Sequence, residues 1–308
     1  PPVYEAQIIE NSSWSCIHGV ERWWKNCGCN SGGHSDWNQE WRTPLRESLD
    51  WLRDRVAEQY EQEASGLFKD PWAARNAYIS VILDRSPKNQ ESFFNQHQTH
   101  GLSDEEVIKA LKLLEMQKHA MLMYTSCGWF FDELSGLETV QVIQYAGRAV
   151  QLSRELLPED NDIEERFLTR LEEAKSNITE NGSGRDIYEN FVKPSIIDLP
   201  KVAVHYAISS MFEEYADPVS IYCYNINILD YQKSECGKAS LCVGNIEVRS
   251  EVTNESEQIT FGVLHLGDHN INAGVRSFKG IEDYDQMAEE MLQSCSAGEF
   301  TEIIHLME

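Results

Sequence analysis

Basic side chains are scarce in this sequence. Against 51 Asp and Glu there are only 26 Lys and Arg, which leaves a formal net charge of −25. Such a field repels phosphate backbones and anionic headgroups, so neither nucleic acid nor a membrane surface is an expected partner. Long apolar runs are also missing: none approaches the roughly 18 residues of a membrane span. The opening Pro1-Pro2-Val3-Tyr4-Glu5 lacks the basic, apolar and small-residue order of a signal peptide. There is no initial Met, no internal repeat and no charge run long enough to form a tail. These features predict a cytoplasmic protein, and either the interior of a longer polypeptide or a trimmed chain. Eight Cys in 308 residues without secretory features read as reduced thiols rather than a disulfide framework.

What is present is ample for a core, with 41% hydrophobic residues in a chain long enough for two packed units. Residues 1–42 show neither apolar period and are rich in Gly, Asn, Ser and Trp, so they read as a long structured loop of the kind that carries function. From Thr43-Pro44 the pattern turns helical, with Leu45, Leu49, Leu52, Val56 and Tyr60 at three-to-four spacing. Further helices are expected from Asp70-Pro71, after the capping-box pattern Ser103-Asp104-Glu105-Glu106, over Leu137 to Leu157, Ile163 to Lys175 and Asp186 to Val192, and from Pro200 to Tyr215. After Pro218 the texture alternates as strands do, over Val219 to Ile226 and parts of Ala239 to Val252 and Gln258 to Leu266. A last helix, Tyr284 to Cys295, precedes a strand expected from Glu299 to Leu306. The fold class is therefore α+β: an aromatic loop and helical bundle over 1–217, then a smaller antiparallel β-rich domain with one helix over 218–308.

Four clusters carry chemistry. Residues 13–34 hold three Trp, three Cys and two His. Cys16, His18, Cys27 and Cys29 are the donor types that zinc prefers, but both gaps are a single residue, and structural zinc pairs are usually spaced more widely. The spacing favours buried free thiols over a metal, and no cofactor is expected. Glu115 and His119 stand one helical turn apart, which suits a buried hydrogen-bonded pair. His265-Leu266-Gly267-Asp268-His269-Asn270 falls where a hairpin turn is expected, so its polar groups serve the local backbone. Ser126-Cys127-Gly128-Trp129-Phe130-Phe131-Asp132-Glu133 is core by default. Its Gly beside a Trp, followed by two adjacent carboxylates, also suits a cavity rim, where sugar C–H faces stack on a ring and hydroxyls bond the acids.

The stretch Ser126-Cys127-Gly128-Trp129-Phe130-Phe131 resembles the last motif of glycoside hydrolase family 57, a Ser-Asp-Trp-Phe-Trp-Trp type sequence. Ser13-Trp14-Ser15 and Gly32-Gly33-His34-Ser35-Asp36-Trp37 are similar to that family's Gly-Ser-Trp segment and its Gly-Gly-His approach to a helix. The whole chain, including Glu138 to Ala146, closely resembles the domain of unknown function 3536, found downstream of family 57 catalytic domains. The family is retaining, with a Glu nucleophile and an Asp acid/base on a preceding (β/α)-type barrel. Neither of those motifs is matched here. The resemblance implies that this chain is the non-barrel region, with no catalytic residue of its own. Its partners would be an upstream barrel of the same polypeptide and an α-glucan, and its contacts Trp14, His18, His34, Trp37 and Trp129. Cys127-Gly128 displaces the family's Asp, which leaves Asp132 and Glu133 as candidates for its place. Two other readings stand beside this one: an interaction or scaffold domain that touches no sugar, and a zinc-binding domain built on Cys16, His18, Cys27 and Cys29. Ring exposure separates the first two, since a packed loop buries Trp14 and Trp129 and a sugar site leaves a ring face open.

Overall fold

A computed structural model describes residues 3–159 and 162–307. The architecture is α+β, with helices first and an antiparallel sheet after them. The chain divides into two compact units, Pro1–Ile196 and Ile197–Glu308. The division falls earlier than the expected 217, because the helix after Asp198 packs on the sheet and belongs to the second core.

In the first unit, helix α1 (Arg42–Ala64) buries Leu45, Leu49, Leu52, Val56 and Tyr60, the stripe read from the sequence. Its start differs in detail: Trp41 occupies the cap, and Thr43 instead accepts the Asn26 N–H through its hydroxyl at 3.2 Å. Two short helices follow, α2 (Pro71–Ala77) and α3 (Ile79–Leu83), with the Asp70 side chain accepting from Ala73 N at 3.0 Å. After α4 (Pro87–His97) comes α5 (Asp104–Leu122), which opens on the expected capping box of Ser103 and Glu106. A 3₁₀ turn, Ser126–Trp129, separates it from α6 (Leu137–Leu156). Gly128 is required here: a Cβ would sit 2.3 Å from the Val142 side chain and 3.0 Å from the Glu138 carbonyl. The shorter α7 (Ile163–Leu171) and α8 (Gly184–Ile187) complete the bundle around one core that includes Trp41, Trp129, Phe167 and Tyr188.

In the second unit, α9 (Leu199–Ser209) precedes a five-stranded meander: β1 (Val219–Ile221), β2 (Tyr224–Cys236), β3 (Ala239–Ser250), β4 (Ser256–His265) and β5 (Ile271–Ser277). Neighbours pair antiparallel throughout, with a register shift between Ile228 and Asp230. Both faces of the sheet are covered. Cys242, Ile246 and Phe261 pack with Tyr206 and Ala207 of α9, while Leu241, Val243 and Leu264 pack with Tyr284 and Met291 of α10 (Ile281–Ala297). The two-sided cover explains why β3 is buried along most of its length, its Asn245 and Ser250 included.

Two expectations are corrected. Phe300–Met307 is a helix, α11, whose Ile303 packs under the sheet with Leu306 and Met307 beside it; the apolar positions recur at helical spacing. Cys236 and Cys295 form a disulfide with Cα atoms 5.7 Å apart, joining the end of β2 to α10, so the cysteines are not all thiols. The other six cysteines are in no disulfide. Among the described residues no helix is long and apolar enough to cross a membrane.

Candidate functional site: a thiol and imidazole cluster beneath an aromatic loop

Residues 3–41 carry almost no core of their own. Cys16 and Trp41 are their buried apolar side chains, and the segment is tied to the bundle by polar contacts. Trp23 Nε1 donates to the Ser126 carbonyl at 3.0 Å, and Arg46 Nη1 to the Trp23 carbonyl at 2.8 Å. Asn38 N donates to Asn177 Oδ1 at 3.0 Å, and Asn177 Nδ2 returns a bond to the Asn38 carbonyl at 2.9 Å.

Within this segment the four predicted donors converge. Cys16 Sγ lies 3.8 Å from Cys27 Sγ, 3.7 Å from Cys29 Sγ and 3.9 Å from His18 Nδ1, and Cys29 Sγ is 3.4 Å from His18 Nδ1. All four ligand atoms fall within 4.8 Å of one another. Of the two single-residue gaps, read from the sequence as awkward, the one between Cys27 and Cys29 is a glycine. Gly28, between Cys27 and Cys29, has φ +76°, and Gly19, after His18, has φ +77°. A Cβ on Gly19 would stand 2.4 Å from the Asn11 carbonyl. Burial raises the Cys16 thiol, but the backbone at Arg22 and His18, with the His18 and Cys29 side chains, brings it down to about 6. Burial pushes the Cys27 thiol up.

Two buried guanidiniums, missed by sequence reasoning, flank the cluster. Arg42 is fully buried in the first turn of α1 and donates from Nη1 to the Cys29 carbonyl at 2.8 Å and from Nη2 to the Phe131 carbonyl at 3.1 Å. Its Nη2 lies 3.8 Å from Asp132 Oδ1. Burial, and then the like charge of Arg22, push the Arg42 guanidinium below its usual value, while Cys27, Asp132 and Cys29 oppose that effect. Arg22 lies over the Phe130 ring, 5.0 Å from its centroid, with one long bond to the Phe130 carbonyl at 3.4 Å. Nothing in their spacing marks either Arg as buried, because long basic side chains are ordinarily on the surface.

The expected sugar contacts divide by exposure. Trp14 is 93% exposed and tilts against Phe130 with centroids 6.1 Å apart; His34 stacks on the half-buried Trp37 at 3.7 Å. Trp129 is 1% exposed and stacks beside Trp41, so it offers no open ring face in this chain. His18 turns its Nδ1 toward the cysteines. Asp132 and Glu133 are buried and engaged internally. Asp132 Oδ2 accepts from Ser31 N at 2.7 Å and from the Ser31 hydroxyl. Glu133 accepts from Ser135 N and Oγ, each at 3.0 Å, from the Ser176 hydroxyl and from Asn177 N at 2.9 Å. An open apolar cleft of about 250 Å³ does lie beside this turn, lined by Thr125, Cys127, Gly128, Glu138 and Tyr145.

The remaining clusters serve structure. Glu115 accepts from the Tyr78 hydroxyl and Arg85, each at 2.7 Å, and from Lys118 at 2.9 Å, which together hold its carboxyl below the usual range despite burial. His119 bonds the Glu115 carbonyl at 2.8 Å rather than the carboxylate, which is 3.9 Å away. His265 and Asp268 close the β4–β5 turn, with His265 Nε2 3.1 Å from the Asp268 carbonyl.

Residues 37–308 match the sequence model of a family described as a domain of unknown function, DUF3536. No curated protein and no solved structure matches the chain.

Proposed function

Starting from a chain that belongs to the DUF3536 family, we propose that it is the non-catalytic accessory region of a carbohydrate-active enzyme of the family 57 type. In this reading it lends an aromatic platform to an α-glucan cleft and leaves bond breaking to carboxylates on a barrel elsewhere in the same polypeptide. The observation that carries it is the Trp14 ring, exposed on a loop and set against Phe130 with Phe131 also open to solvent. Exposed rings at such a site offer sugar C–H faces a stacking surface. The resemblance of Ser13-Trp14-Ser15 and Ser126 to Phe131 to family 57 segments supports the substrate class. Among the described residues, the buried carboxylates are Glu115, Asp132 and Glu133. Each accepts several internal hydrogen bonds, so none is poised as the free acid or nucleophile of a glycosidase pair.

Amylose affinity electrophoresis tests the reading. The chain is expected to be retarded, and Trp14→Ala to run at its amylose-free mobility with an unchanged circular dichroism spectrum. Equal retardation of both proteins, or of neither, overturns the platform.

The scaffold reading has its own support. Val3, Tyr4, Ile8, Ile9 and Ile17 are exposed in the same segment as Trp14, an apolar content that suits packing against another part of a protein. If a segment carrying the barrel protects Trp14 from quenching by acrylamide and glucans do not, this second reading replaces the first.

A further inference from the structure

We propose that Cys16, His18, Cys27 and Cys29 bind one zinc ion that staples residues 13–31 in place, its charge balanced by the buried Arg22 and Arg42. The inference is independent of the glucan reading.

Geometry is the first support. In a tetrahedron with metal–sulfur bonds of about 2.3 Å and a metal–nitrogen bond of about 2.0–2.1 Å, sulfur–sulfur edges are about 3.8 Å and sulfur–nitrogen edges about 3.6 Å. The separations from Cys16 Sγ to the other two sulfurs are 3.7 and 3.8 Å, and those from His18 Nδ1 to Cys29 and Cys16 are 3.4 and 3.9 Å. The Cys16 distances are too long for a disulfide bond of about 2.05 Å. Four donors within 4.8 Å enclose one ion and leave no room for an iron–sulfur cluster between them. Three thiolates and one imidazole are a recurrent structural zinc set.

Charge is the second support. Beside the cluster lie two buried guanidiniums and one buried carboxylate, Asp132, an excess of one positive charge. The acceptors that Arg22 and Arg42 reach are the neutral carbonyls of Phe130, Cys29 and Phe131, and Nε of each has no hydrogen-bond partner. Protonated thiols would leave it uncompensated in a poorly solvated place. Zinc with three thiolates and a neutral imidazole carries one negative charge, which cancels it.

The third support is the poverty of the segment's own core. A stretch of this length with Cys16 and Trp41 as its buried apolar side chains lacks the burial to order itself, a situation in which small protein segments use metals or disulfides.

The test uses the full chain purified without chelators or an affinity metal. Elemental analysis is expected to find one equivalent of zinc, and cobalt(II) exchange to give the intense visible absorption of a tetrahedral thiolate site. Cys27→Ser/Cys29→Ser should hold less than about a tenth of an equivalent. Should that variant misfold, Arg22→Met keeps the proposal testable: its side chain is no ligand, and its loss is expected to weaken zinc binding by about 10–100-fold, as outer-shell changes do. A chain that holds neither zinc nor, after reduction, cobalt with that spectrum overturns the site, as does iron in place of zinc. Unchanged affinity in Arg22→Met overturns the charge balance.

Discussion

Replacing Arg42 by Met removes the guanidinium that joins α1 to the loop on one side and to the 130–132 turn on the other. The side chain is fully buried and its donors reach two carbonyls, Cys29 at 2.8 Å and Phe131 at 3.1 Å. Its loss strands both carbonyls and leaves the Asp132 carboxylate without its cation at 3.8 Å. Breaking a buried ion pair from one side is worth about 3–5 kcal/mol. The two charge-assisted hydrogen bonds, at about 1.5–3 kcal/mol each, give about 3–6 kcal/mol, an overlapping range. For a unit of this size the loss corresponds to a fall in Tm of about 6–20 °C. Arg22→Met is the internal control. That side chain has one long hydrogen bond of 3.4 Å and rests on the Phe130 ring, a face Met also covers, so the change is expected below about 1 kcal/mol. Urea unfolding followed by Trp fluorescence, with chelator present so that metal linkage does not enter, gives both values. Near-equal effects of the two substitutions, or an Arg42→Met effect below about 1 kcal/mol, would refute the assignment of Arg42 as the buried tie.

Other outcomes follow from the same packing. Trp129→Ala should destabilise the first unit by about 3–5 kcal/mol, as truncation of a buried Trp does, while Trp14→Ala leaves the urea midpoint unmoved. Gly128→Ala forces a Cβ to within 2.3 Å of the Val142 side chain and should lower stability by about 1–3 kcal/mol in the same assay. Burial, and then the nearby Lys118 and Arg148, hold the His119 imidazole below its ordinary 6.5, against the opposing pull of Glu115. The unfolded chain therefore takes up a proton first as pH falls, so stability is complete above about pH 6.5 and declines below it; His119→Asn should flatten that decline in urea midpoints. Thiol titration of the denatured, unreduced chain should count six thiols, the cysteines outside the disulfide. Cys236→Ser/Cys295→Ser, opening a 59-residue separation, should destabilise the second unit by about 4 kcal/mol in the chain-entropy picture.

Sequence periodicity revealed the elements whose signals are local. The α1 stripe and the Ser103 capping box depend on neighbours three and four residues away, and both are present. The division after Ile196 was hidden, because α9 reads as one more helix and only its packing against β3, β4 and β5 assigns it to the sheet. Phe300–Met307 was mistaken for a strand because an apolar run this short suits either period. At the candidate site, the residue types were visible and their spacing misled. Positive φ at Gly28 lets the single-residue gap between Cys27 and Cys29 place two donors on one side, which a count of intervening residues does not convey. Arg22 and Arg42 carry no local mark of burial, since their partners lie on Phe130, Phe131 and Asp132, about a hundred residues away in sequence.

Binding without turnover is the central claim, and saturation-transfer NMR with maltoheptaose, run beside a reducing-end assay, tests it most directly. The account predicts saturation transfer from the chain to glucose protons, loss of that transfer in Trp14→Ala, and no new reducing ends. Cleavage that disappears when Asp132 or Glu133 is replaced by its amide would contradict it, as would the absence of transfer from the intact chain.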